Sequence, residues 1–298
     1  MNSGPALEKI ETDGGPARDG RDEGAEYLST SRMTLLTRSR ELLQFRGLLL
    51  TLAWRDVRVR YKHSVLGAAW AMFIPVSMMI IFSFVFTRVV KVSTDVPYIL
   101  YAYSGLLPWQ FFASATTSAT NSLLANRSLV TKIYFPAEVF PFSSILASFV
   151  DFLAGSLVLV GLMIYFAATG AAINLSWTIP LVVVVLFVQV LFTAGVSLFL
   201  AMGNLFFRDV RYIYSVVITL WMFSSSVVYP MKVDDPSMQA ILNLNPMTPI
   251  LDAYRDVLLK GQVFDLASFG YSAIVAAIIF FCGWALFYRL QHRFAEKA

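Results

Sequence analysis

Long stretches without a charged residue alternate with short charged stretches along most of the chain. The uncharged stretches cover residues 64–87, 96–126, 139–207, 212–231 and 266–288, and Asp151 is the single charge inside them. A charged side chain at the centre of a bilayer costs about 2.5–3.5 kcal/mol on insertion scales. About 20 consecutive apolar residues, in contrast, form a helix that crosses the bilayer. This pattern therefore predicts membrane-spanning helices.

The third uncharged stretch is too long for one helix and predicts two. Its middle, residues 168–180, contains Gly, Asn, Ser and Pro, which favour a turn between helices. With this division the sequence predicts an all-α integral membrane protein with six transmembrane helices. The composition agrees, because 57% of the residues are apolar and 14% are charged, against about 45–50% and about 25% in soluble domains.

The positions of the basic residues predict which side of the membrane each loop faces. An even number of spans places both termini on one side, and all but five of the 23 Lys and Arg residues fall on that side. The exceptions are Arg88, Lys91, Lys232, Arg255 and Lys260. Loops rich in Lys and Arg remain in the cytoplasm, so both termini are predicted to be cytoplasmic.

Two different segments precede the first span. Residues 1–31 are rich in Gly, Asp, Glu and Arg and contain no apolar signal segment, so they are predicted to form a disordered cytoplasmic leader. Residues 32–63 are predicted to contain an amphipathic interfacial helix. Its apolar face is predicted to carry Leu50, Trp54, Val57 and Tyr61, and its basic face Arg55, Arg58 and Lys62. Two interpretations are open: a topology anchor, or a collar that meets an anionic lipid-linked substrate.

A polar segment after the fifth span predicts a re-entrant helical hairpin on the extracytoplasmic side. Thr248 is the predicted N-cap of its longer helix, with Pro249 in the first turn, and Gly261 is the predicted end. Residues 238–242 form a shorter apolar piece before it. The predicted apolar face carries Ile250, Leu251, Tyr254 and Leu258, and the polar face Asp252, Arg255 and Asp256. A plain extracytoplasmic loop is the alternative.

Asp151 and a group of aromatic residues allow more than one interpretation. An intramembrane acid is a functional candidate, so Asp151 is either a proton relay or a structural residue with a partner. The aromatic residues belong either to an interfacial belt or to a pathway on which sugar rings stack. The candidates for lining such a pathway are Tyr98, Tyr101, Trp109, Phe112 and Trp221.

The sequence lacks the residues that several kinds of chemistry require. It has no Gly-Lys pair and hence no P-loop for ATP. It has two histidines, one cysteine (Cys282), no Ser-His-Asp set and no motif for a metal cluster. We therefore assign no catalytic residue, no metal site and no cofactor to this chain, and we expect no nucleic-acid partner.

Five stretches together resemble one known family. They are residues 55–76, 105–112, 126–141, 207–213 and 245–261, which include "GLLPWQFF" and "NRSLVTKIYFPAEVFP". They resemble the permease subunits of type-two ABC exporters that move polysaccharides: the O-antigen, capsule and teichoic-acid permeases. The resemblance runs from about Leu48 to Arg293, and it implies a six-helix transmembrane domain, assigned to residues 64–298, with the interfacial helix before it.

The resemblance implies partners and a location. It implies a homodimer in the bacterial cytoplasmic (inner) membrane, joined to two copies of a separate ATPase subunit that binds ATP and Mg²⁺. The implied substrate is a polyprenyl-linked polysaccharide. The implied function is that of a permease without its own ATPase site. The alternatives are a drug or lipid exporter of the same class, or a proton-coupled secondary transporter that uses Asp151.

The resemblance also implies three functional segments. A coupling helix that inserts into the ATPase is implied for Asn126, Arg127, Ser128, Leu129, Lys132, Ile133, Tyr134 and Phe135. An inner gate is implied for Trp54, Arg55, Arg58, Arg60, Tyr61 and Lys62, and an outer gate for Asn245, Pro246, Thr248, Asp252, Tyr254 and Arg255. The coupling segment mixes apolar, aromatic and basic side chains, as protein interfaces do.

Overall fold

The computed structural model describes residues 44–62, 64, 66–92, 94–127, 129, 136–170, 174, 176–231, 237 and 242–291. The predicted leader, residues 1–31, lies outside this set. Contacts divide the chain into Met1–Gln44 and Phe45–Ala298. The fold discussed below belongs to the second unit.

Eight α-helices are described, and no strand occurs among the described residues, so the all-α prediction is confirmed. Two of the helices continue into a π-helical turn. The helices are α1 (Arg46–Tyr61), α2 (Trp70–Phe84, with the π-helical turn Val85–Val89), α3 (Tyr98–Ala125), α4 (Val139–Ala168), α5 (Val182–Phe206), α6 (Val210–Phe223), α7 (Met247–Arg255, with the π-helical turn Asp256–Lys260) and α8 (Leu266–Leu290). Short 3₁₀ turns precede α2 (Gly67–Ala69) and α5 (Ile179–Leu181).

Four helical segments in the described part of the chain are long and apolar enough to cross a membrane. They are Trp70–Val89, Val139–Ala168, Ile179–Phe206 and Leu266–Leu290. The predicted number of six is therefore not confirmed. The helix α3 has 28 residues but is rich in Ser, Thr and Asn. The apolar helix α6 has 14 residues, or about 21 Å at about 1.5 Å per residue.

The central position of α3 explains its polar composition. Nineteen of its 28 residues are buried, and it contacts α2, α4, α5, α6 and α7. A helix enclosed by other helices does not need the continuous apolar surface that lipid requires. Its serine and threonine side chains are satisfied locally, as in the 2.6 Å hydrogen bond from Thr116 Oγ1 to the Phe112 carbonyl. Hydropathy alone therefore does not identify α3 as a candidate membrane-spanning helix.

Two glycines bring α5 and α8 into close contact. A Cβ on Gly195 would lie 2.6 Å from the Phe280 nitrogen and 2.8 Å from the Ile279 carbonyl carbon. A Cβ on Gly283 would lie 3.0 Å from the Gly195 oxygen. Small residues at such contacts let the backbones of membrane helices approach each other closely. This contact fixes α8 against the centre of the bundle.

Candidate functional site

Asn245 joins the start of α7 to the end of α6. Its Oδ1 accepts hydrogen bonds from Trp221 Nε1 at 2.9 Å and from the Met247 backbone N–H at 3.0 Å. Its Nδ2 donates to the Ser224 carbonyl at 2.7 Å. The prediction that Thr248 caps this helix is wrong, because α7 begins before it and the side-chain oxygen of Thr248 is buried without a partner among the described residues.

The end of this segment agrees with the prediction. Gly261 follows the π-helical turn and has a left-handed backbone with φ of 64°, a conformation that glycine adopts without steric cost. Residues 238–241 of the predicted shorter piece, residues 238–242, lie outside the described residues, so the re-entrant geometry stays a prediction.

Arg255 is buried, although the sequence predicts it on a polar face. Its side chain is 2% exposed and forms an ion pair with Asp252, with 2.8 Å between Nη1 and Oδ1. Nη2 donates to the Val227 carbonyl at 2.8 Å. The guanidinium lies over the Tyr101 ring, 3.8 Å from its centroid. A buried charge requires this kind of pairing and hydrogen bonding, so Arg255 connects α7 to α3 and to the segment after α6.

Gly105 leaves the space that Arg255 occupies. A Cβ at this position would collide with Arg255 Nη2 and with the Val227 carbonyl oxygen. The sequence analysis placed Gly105 in a family motif but gave it no role. An isolated glycine inside a helical pattern often has a packing reason, and this signal could have indicated a close contact at Gly105.

Gln189 links α7 to α3 through α5, and the sequence analysis missed it. The Tyr254 hydroxyl donates to Gln189 Oε1 at 2.7 Å, and Gln189 Nε2 donates to the Pro108 carbonyl at 2.7 Å. Tyr254 and Gln189 are both buried. The predicted outer-gate segment is therefore connected to α5 and α3 inside the bundle, as well as to the end of α6.

An outer cavity of about 520 Å³ lies beside this segment. Four aspartates line it, together with two basic residues: Asp95, Asp252, Asp256, Asp265, Arg255 and Lys260. Lys260 Nζ lies 3.0 Å from Asp256 Oδ1 and 3.9 Å from Asp95 Oδ2. Tyr101 also lines this cavity, so one of the predicted pathway residues borders an open space.

The other predicted pathway residues lie in the core of the single chain. Trp109 is 3% exposed and Phe112 is fully buried. Phe112 stacks on Phe192 with 5.5 Å between ring centroids, and Trp221 lies edge-on at 5.3 Å from Phe112. The Tyr98 hydroxyl donates to the Val228 carbonyl at 2.6 Å. In the single chain Trp109 and Phe112 fill the core where α3, α5 and α6 meet, and their role as pathway lining stays a prediction.

The helix α1 has a third face that the sequence analysis did not predict. Leu52 and Ala53 are buried on the side where α1 packs against α4. Leu50 and Trp54, from the predicted apolar face, are 57% and 58% exposed. The basic residues Arg55, Arg58 and Lys62 are exposed as well. One face thus contacts the bundle, one is apolar and exposed, and one is basic and exposed.

Asp151 is paired with the last turn of α1. It forms an ion pair with Arg60 and accepts a 2.6 Å hydrogen bond from the Tyr61 hydroxyl at Oδ1. Burial of Tyr61, together with its hydrogen bond to the Asp151 carboxylate, raises the pKa of the Tyr61 hydroxyl to about 12. This hydroxyl therefore remains a hydrogen-bond donor at neutral pH. Asp151 attaches the predicted inner gate to α4.

Most of the predicted coupling segment falls outside the part of the chain that the structure describes. Ser128, Lys132, Ile133, Tyr134 and Phe135 lie outside the described residues. The helix α3 ends at Ala125, and the Leu129 backbone N–H donates to the Asn126 carbonyl at 2.9 Å. The predicted coupling segment, which begins at Asn126, therefore directly follows the central helix.

The apolar helices and the segments attached to them define a membrane protein built around one central helix. The chain matches the model of the family described as ABC-2 type transporter over residues 47–259. It belongs to this family, and the resemblance inferred from the sequence is confirmed.

Curated relatives cover most of the chain. The O-antigen export system permease protein RfbA of Myxococcus xanthus is 31% identical over 262 residues, which are 87% of this chain and 98% of the relative. A protein of the same name from Klebsiella pneumoniae is 32% identical over 252 residues, 84% and 94% of the two chains. The polysialic acid transport protein KpsM of Escherichia coli is 21% identical over 235 residues, 78% and 89%.

Proposed function

We propose that this chain is the permease of an ABC exporter that moves a lipid-linked polysaccharide across the bacterial cytoplasmic membrane, driven by a separate ATPase subunit. The family and the names of the relatives support this function. The polysaccharide is the cargo, and ATP and Mg²⁺ would bind to the partner subunit.

The structural observation that carries this proposal is the continuity of α3. Its 28 residues extend over about 42 Å at about 1.5 Å per residue. Near one end, α3 contacts the side chains that connect it to α7. Tyr101 and Gly105 lie against Arg255, and the Pro108 carbonyl accepts a hydrogen bond from Gln189. Asn126, directly after the other end, begins the predicted coupling segment. A displacement of that segment by an ATPase would reach the outer segment through one continuous helix.

The inner half of α3 is also connected to its neighbours by buried polar contacts. The Tyr214 hydroxyl of α6 donates to Thr116 Oγ1 at 2.6 Å. Asn204 Nδ2 of α5 donates to the Thr120 carbonyl at 2.9 Å. Buried hydrogen bonds of this kind favour one arrangement of the helices. Motion of α3 would therefore be transmitted to α5 and α6.

The proposal includes a topology and an assembly. Six membrane passes with both termini in the cytoplasm follow if α3 counts as the second pass, and α6 with residues 224–231 as the fifth. The distribution of Lys and Arg supports this topology. Two copies of the chain and two ATPase subunits would form the exporter, with the polysaccharide passing between the permeases. The helix α6 supports this arrangement, because its exposed side carries Ser215 and Thr219 beside apolar residues.

The test is ATP-dependent export by the full chain co-purified with its ATPase and reconstituted into vesicles. We expect the double substitution Lys132→Ala/Tyr134→Ala to abolish most of the export while leaving membrane insertion intact. The matched control is Arg88→Ala, an exposed basic residue on the opposite predicted side. Unchanged export in the double variant would refute the coupling assignment.

The same vesicles distinguish the alternatives. Export of a drug or lipid, but not of a lipid-linked glycan, would identify another exporter of this class. Transport without any ATPase, abolished by Asp151→Asn, would identify a secondary transporter. The ion pair with Arg60 does not favour the latter, because it gives Asp151 a structural role in attaching α1 to α4.

A further inference from the structure

A second cavity, of about 280 Å³, lies between α1, α2, α3 and α4. We call it the inner cavity. Arg60, Tyr61 and Asp151 line one part of it, and Trp70, Ile74 and Phe111 are among its apolar lining residues. Trp70 and Ile74 are 40% and 41% exposed on α2, so the cavity borders the outer surface of that helix.

A row of polar side chains faces the inner cavity from α3. Gln110, Ser114 and Ser118 are spaced four residues apart and all line it. Residues at this spacing share one side of a helix. Ser148 of α4 lines the same space, and its hydroxyl lies 3.3 Å from the hydroxyl of Ser114. This polar row lies on a helix whose other interior positions are mostly apolar.

Two members of this row have hydrogen-bonding capacity that the protein does not use. Gln110 and Ser118 make no side-chain hydrogen bond to any of the described residues. Asp151, the thirteenth residue of the 30-residue helix α4, places the cavity within the length of a membrane-spanning helix. Unpaired polar groups at such a depth are unfavourable unless a cavity or a ligand provides partners. Gln110 and Ser118 therefore point to a polar occupant.

The charge of the cavity selects the kind of occupant. Its two charged groups, Arg60 and Asp151, neutralise each other. A phosphate would have to compete with Asp151 for Arg60, whereas a neutral group with several hydroxyls can use the amide and serine hydroxyls directly. The volume is just below the range of roughly 300–1,000 Å³ that is common for small-molecule sites. Trp70, which is 40% exposed, offers an aromatic side chain at the edge of the cavity.

We propose that the inner cavity binds a sugar residue of the lipid-linked substrate, with Gln110 and Ser118 as hydrogen-bonding partners. This inference rests on the proposed function and identifies where the glycan first contacts the permease. The lipid tail would remain in the bilayer beside the exposed surface of α2. Arg60 and Tyr61 connect this site to α1, so occupancy would affect the helix predicted to form the inner gate.

The test measures how sugar-bearing probes protect an engineered thiol. Ser118→Cys is made in a Cys282→Ala background of the full chain in nanodiscs, without ATPase, and its reaction with a small hydrophilic maleimide is followed. The probes are hexyl β-glucoside, hexyl phosphate and hexanol. We expect hexyl β-glucoside at about ten times its Kd to slow the reaction about tenfold, because only unoccupied cavities react. The other two probes should have little effect.

Two variants serve as controls. Thr117→Cys is exposed and does not line the cavity, so its labelling should not respond to the glucoside. Gln110→Leu should weaken the protection of Ser118→Cys by the glucoside. Absent protection, or equal protection by hexyl phosphate or hexanol, would overturn the inference.

The outcome is separable from that of the proposed function. ATP-driven export of a glycan without glucoside protection would remove the sugar site alone. Glucoside protection without ATP-driven export would leave the site and remove the exporter.

Discussion

Tyr254 and Gln189 are joined by a buried hydrogen bond of 2.7 Å. Because Gln189 also donates to the Pro108 carbonyl, one side chain connects three helices: α7, α5 and α3. The predicted outer gate is therefore part of the helix bundle. Any displacement of α7 must either break this connection or move α3 and α5 with it.

Tyr254→Phe should weaken this connection by leaving Gln189 Oε1 without its donor. We expect the free energy of unfolding to fall by about 1–3 kcal/mol, the usual cost of leaving a buried acceptor without its donor. Denaturant unfolding of the purified chain measures this change. Tyr165→Phe is the control, because Tyr165 is 62% exposed and forms no side-chain hydrogen bond to the described residues. A double-mutant cycle with Gln189→Leu tests the coupling, and strictly additive effects would contradict it.

Gly105→Ala should disturb the site of Arg255. The new methyl group would collide with Arg255 Nη2 and the Val227 carbonyl, and overpacking typically costs about 1–3 kcal/mol. Gly161→Ala is the matched control, because no atom lies within 4 Å of its added Cβ. That substitution should stabilise the helix slightly, by up to about 1 kcal/mol. Thermal unfolding of both variants checks this, and equal unfolding temperatures would argue against the close contact.

Asp151→Asn should loosen α1. The substitution removes the partner of Arg60, whose side chain is 29% exposed, so the effect should be smaller than the roughly 3–5 kcal/mol for breaking a fully buried pair. Hydrogen exchange of the backbone over α1 should become faster, while that of α8 should not change. Exchanging the two residues, with Arg60→Asp and Asp151→Arg, should restore part of the protection. Unaltered exchange in Asp151→Asn would mean that the pair does not hold α1.

The start of α8 should depend on pH through Asp265. Hydrogen bonds from Ser268 and from the Ala267 backbone hold the pKa of this carboxyl below its ordinary value. The stabilisation by the ionised cap is therefore present at neutral pH and is lost as the pH falls through the lowered pKa. The protection factors for hydrogen exchange over the first turn of α8, which correct for the slower intrinsic exchange in acid, should fall as the pH is lowered. Asp265→Asn should remove this pH dependence, because an amide can cap but does not titrate.

The hydrophobic pattern was sufficient to predict the helices that face outward. It was insufficient to predict the contacts in the interior of the bundle. The apolar runs predicted α2, α4 and α8, most of whose residues lie at the periphery of the single chain, and also α5, which is half buried. The helix α3 was predicted by its lack of charge, since its Ser and Thr content hides it from hydropathy. Glycine as a helix-stop signal also placed Gly261 correctly at the end of the predicted outer-gate segment.

The sequence could not predict contacts between residues distant along the chain. Arg255 reads as a surface residue of α7, and only the fold brings Tyr101 and Val227 around it. Gln189 lies inside an uncharged run and gives no local signal. The sequence predicted Thr248 as the N-cap of α7. In the structure Asn245 accepts the Met247 backbone N–H at the start of α7, and the same side chain also binds Trp221.

The glycine contact between α5 and α8 has a consequence for how the bundle can rearrange. With the Gly195 and Gly283 backbones in contact, neither helix can rotate about its own axis without driving a larger side chain into its neighbour. We therefore expect α5 and α8 to move together as one rigid unit. The helix α6, of whose residues only Tyr214 is buried in the single chain, has few packing partners within the chain, and its exposed side is the one that would meet the second copy in the proposed exporter.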